Sequence, residues 1–245
     1  KLKRVFSPGT VLKLRAELIN LLKKEFKVDP AQGAHDRILS LEVIWPDNPL
    51  LRAYVLSPRL GQISADLLAV PAVRLYHDNV LAKQTGCGRT PWHFDDHHFP
   101  LDTNDVVTAW VPAQPIPLEM GPLSFAYPLD VHKLVNAVTF EKTGTGYDCG
   151  VSEVFSKNNV SVDQTPFELG EVSFHHNLNF HTASSNRTNR SRVALANTYY
   201  RDGARVVNAP TMVSGNWQKF MPNVKPGDIA ASPLNPICWP VKDKP

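Results

Sequence analysis

The sequence predicts a mainly β protein, an antiparallel double-sheet barrel of the jelly-roll kind with N-terminal and flanking α-helices. Three observations lead there. Proline is abundant, 21 against 13 glycines, and proline is tolerated in turns and at strand edges but breaks helix interiors. The clearest helical periodicity lies at the N-terminus. From Val73 onward, short strand-like runs alternate with loops, the texture of a double-sheet barrel.

Each element has a local reason. Ser7-Pro8 pairs a cap-type residue with proline at the first helical position. Val11, Leu14, Leu18, Leu21 and Leu22 then recur at helical spacing, and the helix should end near Lys27, before Asp29-Pro30. A second helical stretch is expected from Pro58 to Leu68. Val73, Leu75, His77, Asn79 and Leu81 alternate with Arg74, Tyr76, Asp78 and Val80, as along a strand. Further strands are expected at Val106–Val111, Leu123–Tyr127, Val172–His175 and Arg192–Tyr200. Residues 130–165 are polar and mixed and read as a lid or insertion. At 245 residues the chain fits one domain, with a helical part over 1–70 and a barrel core over 71–205.

Composition excludes several classes. The apolar share is 42% and the charged share 20%, ordinary globular usage that rules out disorder, collagen and coiled coil. A net charge of +3 is too small for a nucleic-acid footprint, which needs a clustered basic face. No apolar run reaches the roughly 20 residues of a membrane helix, and no signal peptide opens the chain. It begins at Lys1 without methionine, which leaves room for native residues upstream. Cys87, Cys149 and Cys238 are odd in number and widely spaced, fitting neither a disulfide framework nor a zinc ribbon. A reducing, cytoplasmic setting follows. The sequons at Asn159, Asn186 and Asn189 then read as chance.

The chemistry concentrates in Thr90-Pro91-Trp92-His93-Phe94-Asp95-Asp96-His97-His98. In an extended segment, side chains two apart point the same way, so His93 and Asp95 converge. They make two-thirds of a 2-His-1-carboxylate triad, which holds Fe(II) on one face and leaves the other positions open. His175, His176 and His181 are candidates for the third ligand. Arg192, 11 positions beyond His181 and 17 beyond His175, suits a bidentate grip on a carboxylate, and the shorter spacing fits better. His97 shares the parity of His93 and Asp95, so it is either a substrate contact or plain cavity wall. Asp96 and His98 have the opposite parity and read as structural.

These residues resemble the phytanoyl-CoA dioxygenase family of Fe(II)/2-oxoglutarate oxygenases, over roughly Val73 to Tyr200. Trp92-His93-Phe94-Asp95 is similar to the family's W-H-x-D. Val107-Thr108-Ala109-Trp110-Val111 is similar to its tryptophan-bearing strand, and Met120-Gly121-Pro122-Leu123 to its N-G-x-L segment. Gly170 through His181, then Asn186 and Arg192, is similar to its glycine-led distal histidine and arginine motif. Two departures stand out: Glu171 replaces the usual aspartate, and Tyr127-Pro128-Leu129-Asp130 stands where P-G-S-H is common.

The resemblance implies a cupin-like double-stranded β-helix with iron on His93, Asp95 and His181, and Arg192 on the distal carboxylate of 2-oxoglutarate. It places Thr90, Trp110 and Asn79 near that cosubstrate. It implies consumption of O2, decarboxylation of 2-oxoglutarate to succinate and CO2, and oxidation of an unactivated C–H bond. Asp95 argues against a halogenase, which carries a small residue there. A non-catalytic or zinc-binding jelly roll stays open, since the same ligands hold zinc. No basic cluster calls for a coenzyme A phosphate, and the modest length points to a small molecule of specialised metabolism, hydroxylated, desaturated, cyclised or epimerised. A monomer or homodimer, with no nucleic-acid or membrane partner, is expected.

Overall fold

The structure is a computed structural model that describes residues 1–27, 37–141, 144–210 and 215–241. Helix α1 spans Pro8–Phe26. Ser7 caps it, its Oγ accepting from Thr10 N at 3.2 Å, and Lys27 ends it in the left-handed conformation. The expected stop signal at Asp29-Pro30 lies outside the described residues. Val11, Leu14, Leu18 and Leu22 are buried, as the spacing requires. Helix α3 occupies Pro58–Leu68, the expected range. Helix α2, Pro49–Val55, is too short to show a period; Asn48 caps it by accepting from Leu51 N at 3.0 Å.

Among the described residues, ten strands form two antiparallel sheets, the jelly roll. The larger sheet orders β1 (Ile38–Glu42), β2 (Val73–Lys83), β9 (Arg192–Arg201), β4 (Val106–Pro112) and β7 (Ser173–His176), with β10 (Ile237–Trp239) also on β2. The smaller sheet orders β3 (Thr90–His93), β8 (His181–Ala183), β5 (Leu123–Tyr127) and β6 (Ser161–Asp163). Strands β4 and β9 are buried almost end to end, because helices cover one face of the large sheet and the small sheet faces the other. Their sequences therefore read as continuous apolar runs rather than alternating ones. Against the helices, Leu14, Leu18, Leu22, Leu51, Leu60, Val73, Leu75, Val80, Val193, Leu195 and Tyr199 share one apolar cluster.

Strand β2 departs from the simple alternation. Val73 and Leu75 face the helical core, and so do Val80 and Ala82. His77, Asn79 and Leu81 face the space between the sheets. The pairing with β9 shifts between Leu75 and His77. One extra residue, Tyr76, flips the parity of everything beyond it, as a β-bulge does.

Residues 130–165 contain α4 (Val131–Leu134), α5 (Gly146–Lys157) and β6. Val131, Val135, Tyr147, Val151 and Phe155 cluster with Phe180, packing against Trp92 and Phe94. The segment is thus a layer outside the small sheet, and none of its described residues lines the cavity between the sheets. Among the described residues, Cys87, Cys149 and Cys238 form no disulfide. Among the described residues, no helix is long and apolar enough to cross a membrane.

Candidate metal centre and cosubstrate cavity

The sheets enclose a cavity of about 540 Å³. At its inner end, β3 and β8 pair so that His93 lies directly across from His181, with ring centroids 4.2 Å apart. Each ring is oriented from behind: Nδ1 of His93 meets Pro91 O at 2.8 Å, and Nδ1 of His181 meets Asn179 O at 2.9 Å. A proton held on Nδ1 by a carbonyl leaves Nε2 with a free lone pair, the tautomer a metal ligand needs. The chain then turns, and Asp95 N donates to Asn177 O at 2.8 Å. Its Oδ1 lies 3.6 Å from His93 Nε2 and 3.9 Å from His181 Nε2. One ligand atom from each of the three lies within 4.8 Å of the others.

Electrostatics readies the set. Burial lowers the His93 pKa to about 4, with His181 adding to the effect. Burial also lowers that of His181. For Asp95, burial acts upward, but His181, His175 and His93 outweigh it and hold the carboxyl well below its usual range. Neutral imidazoles beside an ionised carboxylate are what divalent-metal binding requires.

Further in stands Arg192, 4% exposed. Its Nη1 donates to Gly121 O, its guanidinium lies over Trp110 at 5.3 Å, and its Nε is buried with no partner among the described residues. Burial lowers its pKa to about 10, so it stays cationic at neutral pH. An uncompensated buried cation is costly, and an anion entering the cavity removes that cost. Gly121, which supplies that carbonyl, packs against the Ser184 backbone: its φ is +72°, and a Cβ there would clash with Ser184 O. Thr90, Trp110 and Asn79 line the same cavity; Asn79 Oδ1 accepts from Ser40 Oγ at 2.8 Å.

His97 departs from its expected place. Asp96–His98 is a 3₁₀ turn, so extended parity ends at Asp95. His97 is exposed, packs its ring on Phe94 at 4.5 Å, and is not among the cavity-lining residues. His98 lines the cavity instead. Asp96 is structural, its Oδ1 accepting from Asn177 Nδ2 at 2.7 Å.

Of two further inner groups, the sequence offers His175 only as an alternative third ligand and does not single out Lys83. His175 reaches Asp95 Oδ2 from β7, with Nε2 at 3.5 Å. Lys83 pairs with Arg192 across β2 and β9 and is fully buried. Its Nζ donates to Ser184 O at 2.7 Å and Ala183 O at 3.2 Å. Burial, then Arg192, lowers its pKa to about 7. A lysine closing an apolar strand was the only local signal for it. The outer end, also unforeseen, is walled by Glu42, His77, Asn216, Lys219 and Phe220. His77 stacks on Phe220 at 4.4 Å, and Lys219 pairs with Glu42 at 2.7 Å.

A jelly roll that gathers two histidines and a carboxylate at one end of a cavity, with a buried arginine on the same cavity, has the architecture of the non-haem Fe(II)/2-oxoglutarate-dependent oxygenases. The chain belongs to the phytanoyl-CoA dioxygenase family, whose sequence profile it matches over residues 1–194. It is accordingly an Fe(II)/2-oxoglutarate-dependent oxygenase. Among solved structures, it is similar to the non-haem α-ketoglutarate-dependent carbocyclase SnoK from nogalamycin biosynthesis. Identity is 24%, covering 96% of this chain and 90% of that one, with a TM-score of 0.75. The epimerase SnoN in complex with Fe3+, α-ketoglutarate and nogalamycin RO gives 21%, 97%, 92% and 0.73 in the same order. EctD from S. alaskensis with bound Fe gives 18%, 84%, 73% and 0.65. At these identities the likeness speaks for the fold. No curated protein matches the chain.

Proposed function

We propose that His93, Asp95 and His181 hold one Fe(II), that Arg192 pairs with the distal carboxylate of 2-oxoglutarate, and that the outer cavity takes a small organic molecule of specialised metabolism. The observation that carries this is the shared cavity: a three-donor set at one end and, deeper, a buried guanidinium with an unpaired Nε. Iron with 2-oxoglutarate and O2 supplies oxidation of an unactivated C–H bond, coupled to formation of succinate and CO2. The chain's own part is binding and orientation. The imidazoles present neutral Nε2 atoms, and Asp95 supplies the negative charge. Arg192 offers a planar fork to a carboxylate, and Trp110 supports it from one face. Thr90, from β3, and Asn79, from β2, present polar side chains to the same cavity, and Leu81, Leu123, Ala183 and Ala196 supply apolar surface that excludes water.

The outer chamber supports a partly planar substrate. Tyr76, Phe99, His77 and Phe220 form an aromatic wall, with ring centroids 4.4–5.4 Å apart, and the Glu42–Lys219 pair marks its rim. Titrating the anaerobic Fe(II) protein with 2-oxoglutarate should raise a metal-to-ligand absorption band. Under air, metabolite pools should yield succinate together with a compound that gains 16 mass units or loses two. Metal uptake without succinate under any pool would leave a binding module in place of an enzyme. The odd number and wide spacing of Cys87, Cys149 and Cys238 support a reducing, cytoplasmic setting.

A further inference from the structure

The two oxygens of Asp95 face different partners. Oδ1 looks toward the imidazole pair, 3.6 Å from His93 Nε2 and 3.9 Å from His181 Nε2. Oδ2 looks the other way, 3.5 Å from His175 Nε2. A carboxylate that binds a metal through one oxygen leaves the other needing a donor, and a buried anionic oxygen without one is expensive. His175 is the side chain placed to supply it. Strand β7 sets His175 across from Thr108 of β4, its side chain is buried, and its ring lies 4.7 Å from that of His181.

The tautomer follows from the surroundings. Nδ1 of His175 is buried and has no partner among the described residues. A proton there would be an unsatisfied buried donor, and it would turn the Nε2 lone pair onto the carboxylate. A proton on Nε2 meets Oδ2 instead and leaves only an acceptor unpaired, the less costly arrangement.

Resting on the iron site proposed above, we infer that His175 is a positioning residue. Its Nε2–H holds Asp95 Oδ2, so that Oδ1 alone is presented beside His93 and His181. Groups of this kind orient a ligand and tune its donor strength, and their removal typically costs 10–100-fold in metal affinity. The histidine-to-arginine spacing favours His181 and leaves His175 looking like a strand residue; its function comes from the fold bringing β7 against Asp95.

The test is a Co(II) titration of the anaerobic protein, read by the cobalt d–d absorption, in the parent, His175→Gln and His175→Met. Glutamine places an N–H close to where the ring's Nε2–H lies; methionine has similar length and no such donor. His175→Met should bind cobalt 10–100-fold more weakly, with displaced d–d bands. His175→Gln should return to within a few-fold of the parent, with a parent-like spectrum. Thermal unfolding of the metal-free proteins checks folding, and His175→Phe is a second donor-free variant should the methionine variant not fold. Parent-like affinity and spectrum in a donor-free variant would overturn the role. So would equal weakening by glutamine and methionine, which would make the ring's shape the relevant property. A parent that takes up no cobalt would overturn the metal site itself, and His175's role with it.

Discussion

The inner and outer halves of the cavity are built differently. The inner half stands on paired strands: His93 on β3, His181 on β8, Trp110 on β4 and Arg192 on β9. Backbone carbonyls orient both histidines, and another receives Arg192. The outer half is assembled from the end of β1 and from residues 215–220, a segment beyond the 1–194 family match. Its polar contact, Lys219–Glu42, joins side chains that are 49% and 30% exposed. The histidines proposed as metal ligands and Arg192 thus sit on paired strands, whereas the outer wall joins strand residues such as Glu42 and His77 to the loop residues of 215–220, and loops are where a surface varies most readily.

Substitutions should separate the halves. The largest effect is expected from Asp95→Ala. With the carboxylate gone, two neutral imidazoles remain, and turnover of 2-oxoglutarate should fall below detection in a succinate assay. Next is Arg192→Ala, which should weaken 2-oxoglutarate by roughly 2–5 kcal/mol, the cost of truncating one partner of a buried charge pair. Arg192→Lys should recover only part of this, lacking the planar fork. Both variants should still bind Fe(II), and the metal-to-ligand band of the anaerobic protein reads both quantities. If Arg192→Ala titrates like the parent, the carboxylate is held elsewhere.

Smaller effects are expected at the mouth. Phe220→Ala removes the stacking partner of His77 and should raise the substrate KM severalfold while leaving 2-oxoglutarate affinity unchanged. Lys219→Ala should do less, because a solvent-screened pair contributes at most about 1 kcal/mol. Steady-state kinetics with each ligand varied in turn makes the comparison. An equal change in 2-oxoglutarate affinity would show that the halves are coupled.

The smallest expected effect is on stability. Asp78, on the face of β2 turned from the cavity, accepts from Ile44 N at 3.0 Å and Trp45 N at 3.2 Å through Oδ2, while Oδ1 has no partner among the described residues. Burial raises its pKa to about 6. The folded state therefore binds this proton more tightly than the unfolded chain does. The associated stabilisation is complete below about pH 4 and is lost as pH rises through about 6. Asp78→Asn should flatten this part of the melting-temperature profile relative to the parent. An unchanged slope would assign the loss to other groups.

Much of the iron end was legible because its information is local. His93 and Asp95 are two apart near the end of a short strand, and Arg192 follows His181 at a short fixed offset. Parity then misled twice, at His97 and along Val73–Leu81, because parity holds only while the chain stays extended. A 3₁₀ turn intervenes in one case and a bulge at Tyr76 in the other. Lys83 gave no sign of lying beside Arg192, since 109 positions separate them in the chain.

By itself, then, the sequence determined the elements whose causes lie within a few residues: the capped helix at Ser7, the H-x-D pair and the arginine offset. Tertiary structure alone decided what depends on register between distant strands. It brought His175 onto Asp95, buried Lys83 beside Arg192, turned Asn79 and Leu81 into the cavity, and laid Phe220 over His77. The physical reason is that register is set by packing the whole sheet against the helices on one face and the small sheet on the other. No short stretch of residues carries that constraint.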